Sequence, residues 1–239
     1  MMNSTRTPMV TPLIRACKSG EKNELNQVIN YINEKGISKD LLNSVDKNGR
    51  TALSYICVQN LPSVLDFLLR LPGVDVNKPD TDGNTPLHFV AEIGHPDMIT
   101  TLITRSTSLV IDLKNVFGIT PLMKAAIQGR TDCSKRIILA KPNSALVRDS
   151  VRGLTAKEWA YLCGRRFCGD AIGQLIRQNK QKNAVPKKYS TYNITDTRKA
   201  GLSVTKIDLP DLMHSVKSEP LPPPTIIITP AESEELIKK

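Results

Sequence analysis

The sequence predicts an all-α solenoid: about five helix–turn–helix units in a row, followed by a disordered C-terminal tail. Three observations carry this. A threonine recurs at Thr51, Thr85, Thr120 and Thr155, in steps of 34, 35 and 35 residues, with a glycine two residues before each. Nine residues after each threonine stands Asn60, Gly94, Gly129 or Gly164. Aromatic residues make up only 4% of a chain that is 40% hydrophobic, so the core is built from Leu, Ile, Val and Ala, which suits small stacked helices better than a large sandwich. A fixed period of this length marks a repeat architecture.

Each element follows from the register. The threonine hydroxyl can accept a free N–H of the first helical turn. Pro86 and Pro121 follow directly, at the one helical position where a missing N–H costs nothing. Gly or Asn nine residues on tolerates the left-handed conformation that ends a helix. Each copy therefore opens with a two-turn helix capped at both ends. Thr11 heads a first copy, "TPLIRACKSG", which lacks the preceding glycine and has a longer second half. Small residues, Cys17, Ala91 and Ala126, recur at one offset and let neighbouring helices approach closely. A second helix is expected in "LPSVLDFLLRL", "HPDMITTLITR", "TDCSKRIILAK" and "CGDAIGQLIRQ". Leu65, Leu68 and Leu69 show the apolar spacing of one helical face, as do Met98, Ile99, Leu102 and Ile103. A turn-rich link then returns to the next glycine. One unit cannot bury its own apolar faces, but stacked neighbours can.

The "TPLHFVA" segment, Thr85 to Ala91, with its relatives in register, resembles the ankyrin-repeat family, whose signature is Thr-Pro-Leu-His-x-Ala. The resemblance implies paired antiparallel helices with outward β-turn fingers. It covers an ankyrin-repeat domain at 9–178, with repeats at about 9–46, 47–80, 81–115, 116–149 and 150–178. Residues 1–8 and the proline-rich, basic segment 179–239 are expected to be disordered, because they offer too little apolar surface to offset ordering entropy. Repeat five departs from the signature, with Ala156-Lys157 for Pro-Leu and Tyr161 for Ala, as a terminal cap can.

The sequence offers no recognisable catalytic chemistry. His88 fills the histidine slot of the signature, but the equivalent positions hold Ile14, Ser54, Met123 and Glu158. A histidine bonded to nearby turn backbone is the expectation. Cys163 and Cys168 lack the second pair that a zinc site needs. Cys17 and Cys57 sit in alanine slots and read as small core residues. No phosphate-binding glycine loop or nucleophile motif occurs. No cofactor or metal is expected, and the chain reads as non-enzymatic. No apolar run approaches the length of a membrane span, and no apolar signal core opens the chain. Together with five irregularly spaced cysteines, this suggests an intracellular protein with reduced thiols.

The net charge of +10 is uneven. Residues 51–100 hold 2 Lys/Arg against 6 Asp/Glu, whereas residues 101–188 hold 17 against 5. Base-stacking aromatics do not interleave these charges, so direct nucleic-acid binding is not expected. Lys114, Lys124, Arg130, Arg148, Arg152, Arg165 and Arg166 read instead as charges that the repeat core does not need and that could steer an acidic protein partner. Finger candidates also include Lys47, Asn48, Lys78, Asp80, Thr81, Asp82, Asn115 and Asp149. The inner-helix face offers His88, Glu92, Lys124, Gln128, Glu158 and Trp159, the last an amphipathic ring suited to an interface. The partner-binding candidates are thus Lys114, Lys124, Gln128, Arg148, Arg152, Glu158 and Trp159, on a monomeric array.

In the tail, "VKSE" places Lys217 in the apolar-Lys-x-Glu pattern at which a ubiquitin-like modifier is joined. Lys180, Lys182, Lys187 and Lys188 form a loose basic run compatible with nuclear import. A narrower resemblance is carried by "FGITPLMKAAIQGRTDC", Phe117 to Cys133, and "RGLTAKEWAYLCGR", Arg152 to Arg165. These are similar to the last two repeats of a small group of ankyrin-repeat proteins. The resemblance implies a protein-binding module of nucleus and cytoplasm, one member of the group repressing transcription by binding a transcription factor. The alternatives are a regulatory or substrate-recruiting subunit of an enzyme complex and a membrane-skeleton adaptor.

Overall fold

The computed structural model describes residues 10–183. Residues 1–8 and the expectations at Lys187, Lys188 and Lys217 lie outside the described residues. Among those described, helices pair along the chain. α1 (Val10–Ser19) pairs with α2 (Lys22–Lys35), and a short α3 (Lys39–Leu42) follows. Next come α4 (Ala52–Gln59) with α5 (Pro62–Arg70), α6 (Pro86–Ile93) with α7 (Pro96–Arg105), and α8 (Pro121–Gln128) with α9 (Thr131–Ala140). A 3-10 turn (Pro142–Leu146) leads to α10 (Ala156–Leu162) and α11 (Arg166–Asn183). Helices α1, α4, α6, α8 and α10 form an inner row, and α5, α7, α9 and α11 an outer row. No strand occurs among the described residues; Arg148 and Thr155 form an isolated bridge.

The caps explain where the inner helices begin and end. Thr51, Thr85, Thr120 and Thr155 take the extended N-cap conformation. The hydroxyls of Thr51, Thr120 and Thr155 accept from the N–H of Ser54, Met123 and Glu158. At the other end Asn60 (φ 54°), Gly94 (φ 105°) and Gly129 (φ 72°) are left-handed, and Asn60 is the one non-glycine residue at positive φ among those described. The first copy differs: α1 starts at Val10, so Thr11 lies inside the helix rather than capping it. The extra residues of that copy form α3, capped by Ser38. The last helix runs past the expected end of the array at residue 178, and its final turn holds Lys180 and Lys182.

Small buried residues on the inner row, Ala16, Cys17, Cys57, Ala91, Ala125, Ala126 and Ala160, allow close stacking. Leu65, Leu68, Met98, Ile99, Leu102, Ile137, Ile138 and Ile172 fill the space between the rows as one core. Burial pushes the Cys17 thiol up to about 12 and raises that of Cys57 further still, so both remain protonated packing groups. α2 packs on α1 without joining the outer row. This leaves a groove of about 540 Å³ between α2 and α5, lined by Leu25, Ile29, Leu61, Val64 and Phe67.

Side-chain amides also join neighbouring copies in the links that lead into the fingers. Asn43 Nδ2 donates to the Gly73 carbonyl at 2.8 Å, and its Oδ1 accepts from Asp75 N–H at 2.7 Å. Asn77 repeats this one copy later, donating to Ser108 at 2.7 Å and accepting from Val110 at 2.8 Å. Asn77→Ala removes both bonds and is expected to lower stability by about 1–2 kcal/mol. Urea denaturation checks this; an unshifted midpoint would mean that water replaces the asparagine at no cost.

Candidate protein-recognition face

The fingers are built on one recurring polar residue. Asp46 Oδ1 accepts from Asn48 N–H and Arg50 N–H, both at 2.9 Å. Asp80 Oδ1 accepts from Asp82 (3.0 Å) and Asn84 (2.8 Å). Asn115 Oδ1 accepts from Phe117 (3.1 Å) and Ile119 (2.9 Å). Asp149 accepts from Val151 (2.8 Å), Arg152 (2.6 Å) and Leu154 (2.7 Å). Side-chain acceptors of this kind close tight turns. Asp80, Asn115 and Asp149, expected as contact residues, are instead buried turn supports. Their signal was in the sequence, since an Asp or Asn stands three or four residues before each finger glycine. Burial opposes the charge on Asp149, but the three N–H groups and the Trp159 indole outweigh it and hold its carboxyl down at about 2.

Neighbouring fingers are also stitched together. Thr81 N–H donates to the Asn48 carbonyl, and Val116 N–H to that of Asp82, both at 3.0 Å. Gly83 lies against the next finger: a Cβ there would sit 2.9 Å from Val116 N and 3.0 Å from Asn115 Cα. The fingers therefore form a continuous edge, and their tips project from it.

His88 answers the question its slot raises. It is 0% exposed. Its Nδ1 accepts the Thr85 N–H at 3.1 Å, while Nε2 lies 3.0 Å from the Ile119 carbonyl, which can only accept. The Nε2–H tautomer is thus fixed, and the ring ties α6 to the next finger. It is buried within the array rather than available on the inner-helix face as expected. Burial is the chief reason its pKa falls to about 4; Lys124 adds to this, and the Ile119 bond and Asp80 partly oppose it.

Several expected contact residues have internal partners. Lys124 pairs with Glu92 at 3.2 Å, joining α8 to α6. Arg130 Nε donates to the Glu92 carbonyl (3.2 Å) and Arg165 Nε to that of Ile127 (3.4 Å), so both serve the C-terminus of the preceding inner helix. Arg148 reaches the Gly153 carbonyl (2.6 Å) and Glu158 (3.3 Å). Glu158 Oε2 also accepts the Thr155 N–H at 2.7 Å, as the carboxylate of a capping box. The Trp159 indole donates to Asp149 at 3.0 Å, and the Arg152 guanidinium sits 5.2 Å from its ring centre. Among the described residues Lys114 reaches the Ser150 hydroxyl, at 3.2 Å. Gln128 is exposed on the inner row. The structure brings Arg148, Arg152, Glu158 and Trp159 together around the fourth finger and keeps Lys124 and Gln128 on α8. The reading of the cations as free of structural roles is corrected for Lys124, Arg130, Arg148 and Arg165.

Helix pairs stacked in two rows, with glycine-turned fingers at one edge, define an ankyrin-repeat solenoid, and a family model for three copies of the ankyrin repeat matches residues 56–149. The chain thus carries ankyrin repeats. It is similar to the human photoreceptor ankyrin repeat protein, with 32% identity over 163 residues, covering 68% of this chain and 33% of that protein. The mouse protein of the same name is 36% identical over 178 residues, covering 74% and 45%. An IkB-like protein of African swine fever virus is 35% identical over 133 residues, covering 52% and 55%. The chain thus spans between a third and about half the length of these relatives. No helix among the described residues is long and apolar enough to cross a membrane.

Proposed function

We propose that this chain is a non-enzymatic regulator that binds a transcription factor, in the nucleus and cytoplasm, through its finger edge and inner helices. One observation carries the reading. The fold consumes the finger bases, through Asp46, Asp80, Asn115 and Asp149, and leaves the tip side chains projecting along one edge. The IkB-like relatives support a regulatory role by name, and the photoreceptor relatives support a similar array. Contacts are assigned to Lys114, Gln128 and Arg152, with Lys124, Arg148, Glu158 and Trp159 holding the face in shape around them.

The test is affinity capture from native tissue with the full chain as bait, followed by titration of the main partner over a salt series. The expected result is a transcription factor whose association slows as salt rises, because steering is screened over about 10 Å at 0.1 M. Enzyme subunits or membrane proteins as the main partners would overturn the assignment. So would tight binding to duplex DNA with the steep salt dependence of counterion release.

A further inference from the structure

The fingertips change character along the edge. The first presents Lys47 and Asn48 and the second Thr81 and Asp82. The third presents Val116 and Phe117, 65% and 60% exposed, and the fourth presents Val151, 77% exposed. These last two fingers are neighbours: Lys114 on one reaches Ser150 on the other, and a Cβ at Gly118 would sit 2.5 Å from Ser150 Cβ. Nothing in the fold requires apolar side chains there. The turns are held by Asn115 and Asp149, and the β-turn itself is satisfied by any tip, as Thr81-Asp82 demonstrates.

Charge sets the chemistry around this patch. Lys114 and Arg152 flank it and form no ion pair among the described residues. Of the nearby carboxylates, Asp149 is buried, Glu158 is exposed but paired with Arg148, and Asp82 is exposed on the second fingertip beside Val116. Asp149 accepts three backbone N–H groups and the Trp159 indole, and Glu158 closes the α10 cap and pairs with Arg148. Around the fourth fingertip the charges without an ion pair are therefore positive, next to an apolar surface. A polyphosphate backbone would find few cations and exposed aliphatic groups. A peptide carrying both acids and bulky apolar side chains satisfies both halves.

We infer that the third and fourth fingertips, Val116, Phe117 and Val151 with Lys114 and Arg152, bind an acidic peptide segment with interspersed bulky apolar side chains. This is the composition of amphipathic activation segments of transcription factors. The assignment rests on the protein-binding function proposed above and names the part of the partner that docks.

The test uses the full chain and a fluorescent synthetic peptide alternating Asp with Leu and Phe. Two variants are read separately: Val116→Ser with Phe117→Ser and Val151→Ser, and Lys114→Gln with Arg152→Gln. Each is expected to weaken binding roughly tenfold without moving the thermal midpoint. Lys47→Gln, on the first finger, leaves binding unchanged. Wild-type affinity in both patch variants overturns the assignment, as does equal binding of a peptide with Asn in place of Asp. Preferential binding of duplex or single-stranded DNA that the same variants abolish also overturns it, making the patch a nucleic-acid surface. If the peptide does not bind while the captured partner binds wild type and both variants alike, the patch assignment fails and the protein-binding function stands. If no protein partner is captured either, both fail.

Discussion

Replacing Gly83 with valine is expected to lower stability by about 3 kcal/mol or more. Two independent causes add. Gly83 has φ 78°, where a β-branched side chain is strained. Its missing Cβ also makes room for the next finger, whose backbone lies 2.9–3.2 Å from where that atom would be. Backbone cannot swing aside as a flexible side chain can. Gly129→Val is the comparison. It shares the left-handed conformation, φ 72°, but its added Cβ would meet the Arg165 side chain, not backbone, at 3.0 Å. It should lose only about 1–2 kcal/mol. Gly129→Asn should lose less still, since Asn60 already occupies the equivalent cap. Urea titrations of the three variants decide the matter. Equal midpoints for the two valine variants would remove the close finger packing from the account.

The second large effect is on pH dependence. His88 is buried neutral, with a pKa near 4 against about 6.5 in an unfolded chain. Because the folded value is depressed, the unfolded chain takes up the proton first. The associated stability is fully present above about pH 6.5 and is lost as pH falls towards 4, with about 2 kcal/mol gone by pH 5. Carboxylates with depressed values such as Asp149, at about 2, titrate largely below this window. His88→Met supplies the test, because Met123 fills the equivalent slot in the next copy and its sulfur lies 3.5 Å from the Thr120 nitrogen. At pH 7 the variant should be about 0.5–1.5 kcal/mol weaker, having lost the His88 bond to the Ile119 carbonyl, which keeps the Asn115 N–H. Between pH 7 and pH 5 it should change far less than the parent. An equal acid sensitivity in both proteins would place the titrating group elsewhere.

The repeat was legible because its signals are backbone signals. A threonine before a helix and a glycine after it report on local conformation, and Thr51, Thr85, Thr120, Thr155, Gly94 and Gly129 cap as their spacing implies. The surface was less legible because side-chain partners are set by which copies stack. Lys124 reads as a free charge until α6 brings Glu92 beside it, and Arg130 until its neighbour's last carbonyl appears. Val116 and Phe117 present the opposite difficulty. Apolar residues read as core, yet their place at a turn tip leaves them outside it. Asp80, Asn115 and Asp149 read as polar turn residues, and polarity alone does not distinguish a turn's support from its projecting tip. In the first copy a helix starting at Val10 overrides the capping signal of Thr11.

The placement of α2 has a consequence for how the array comes apart. Each later pair is held to its neighbour through both rows, but the first pair is held chiefly by α1 against α4. In a quasi-one-dimensional chain, the free energy of detaching a terminal unit is its own stability plus one interface. With half of that interface missing, α1 and α2 form the cooperative unit with the lowest opening free energy at that end, and their amides exchange through local release rather than global unfolding. The apolar fingertips lie three and four copies along the array. Fraying of the N-terminal pair therefore leaves them in place, and recognition and early unfolding occupy opposite ends of the same solenoid.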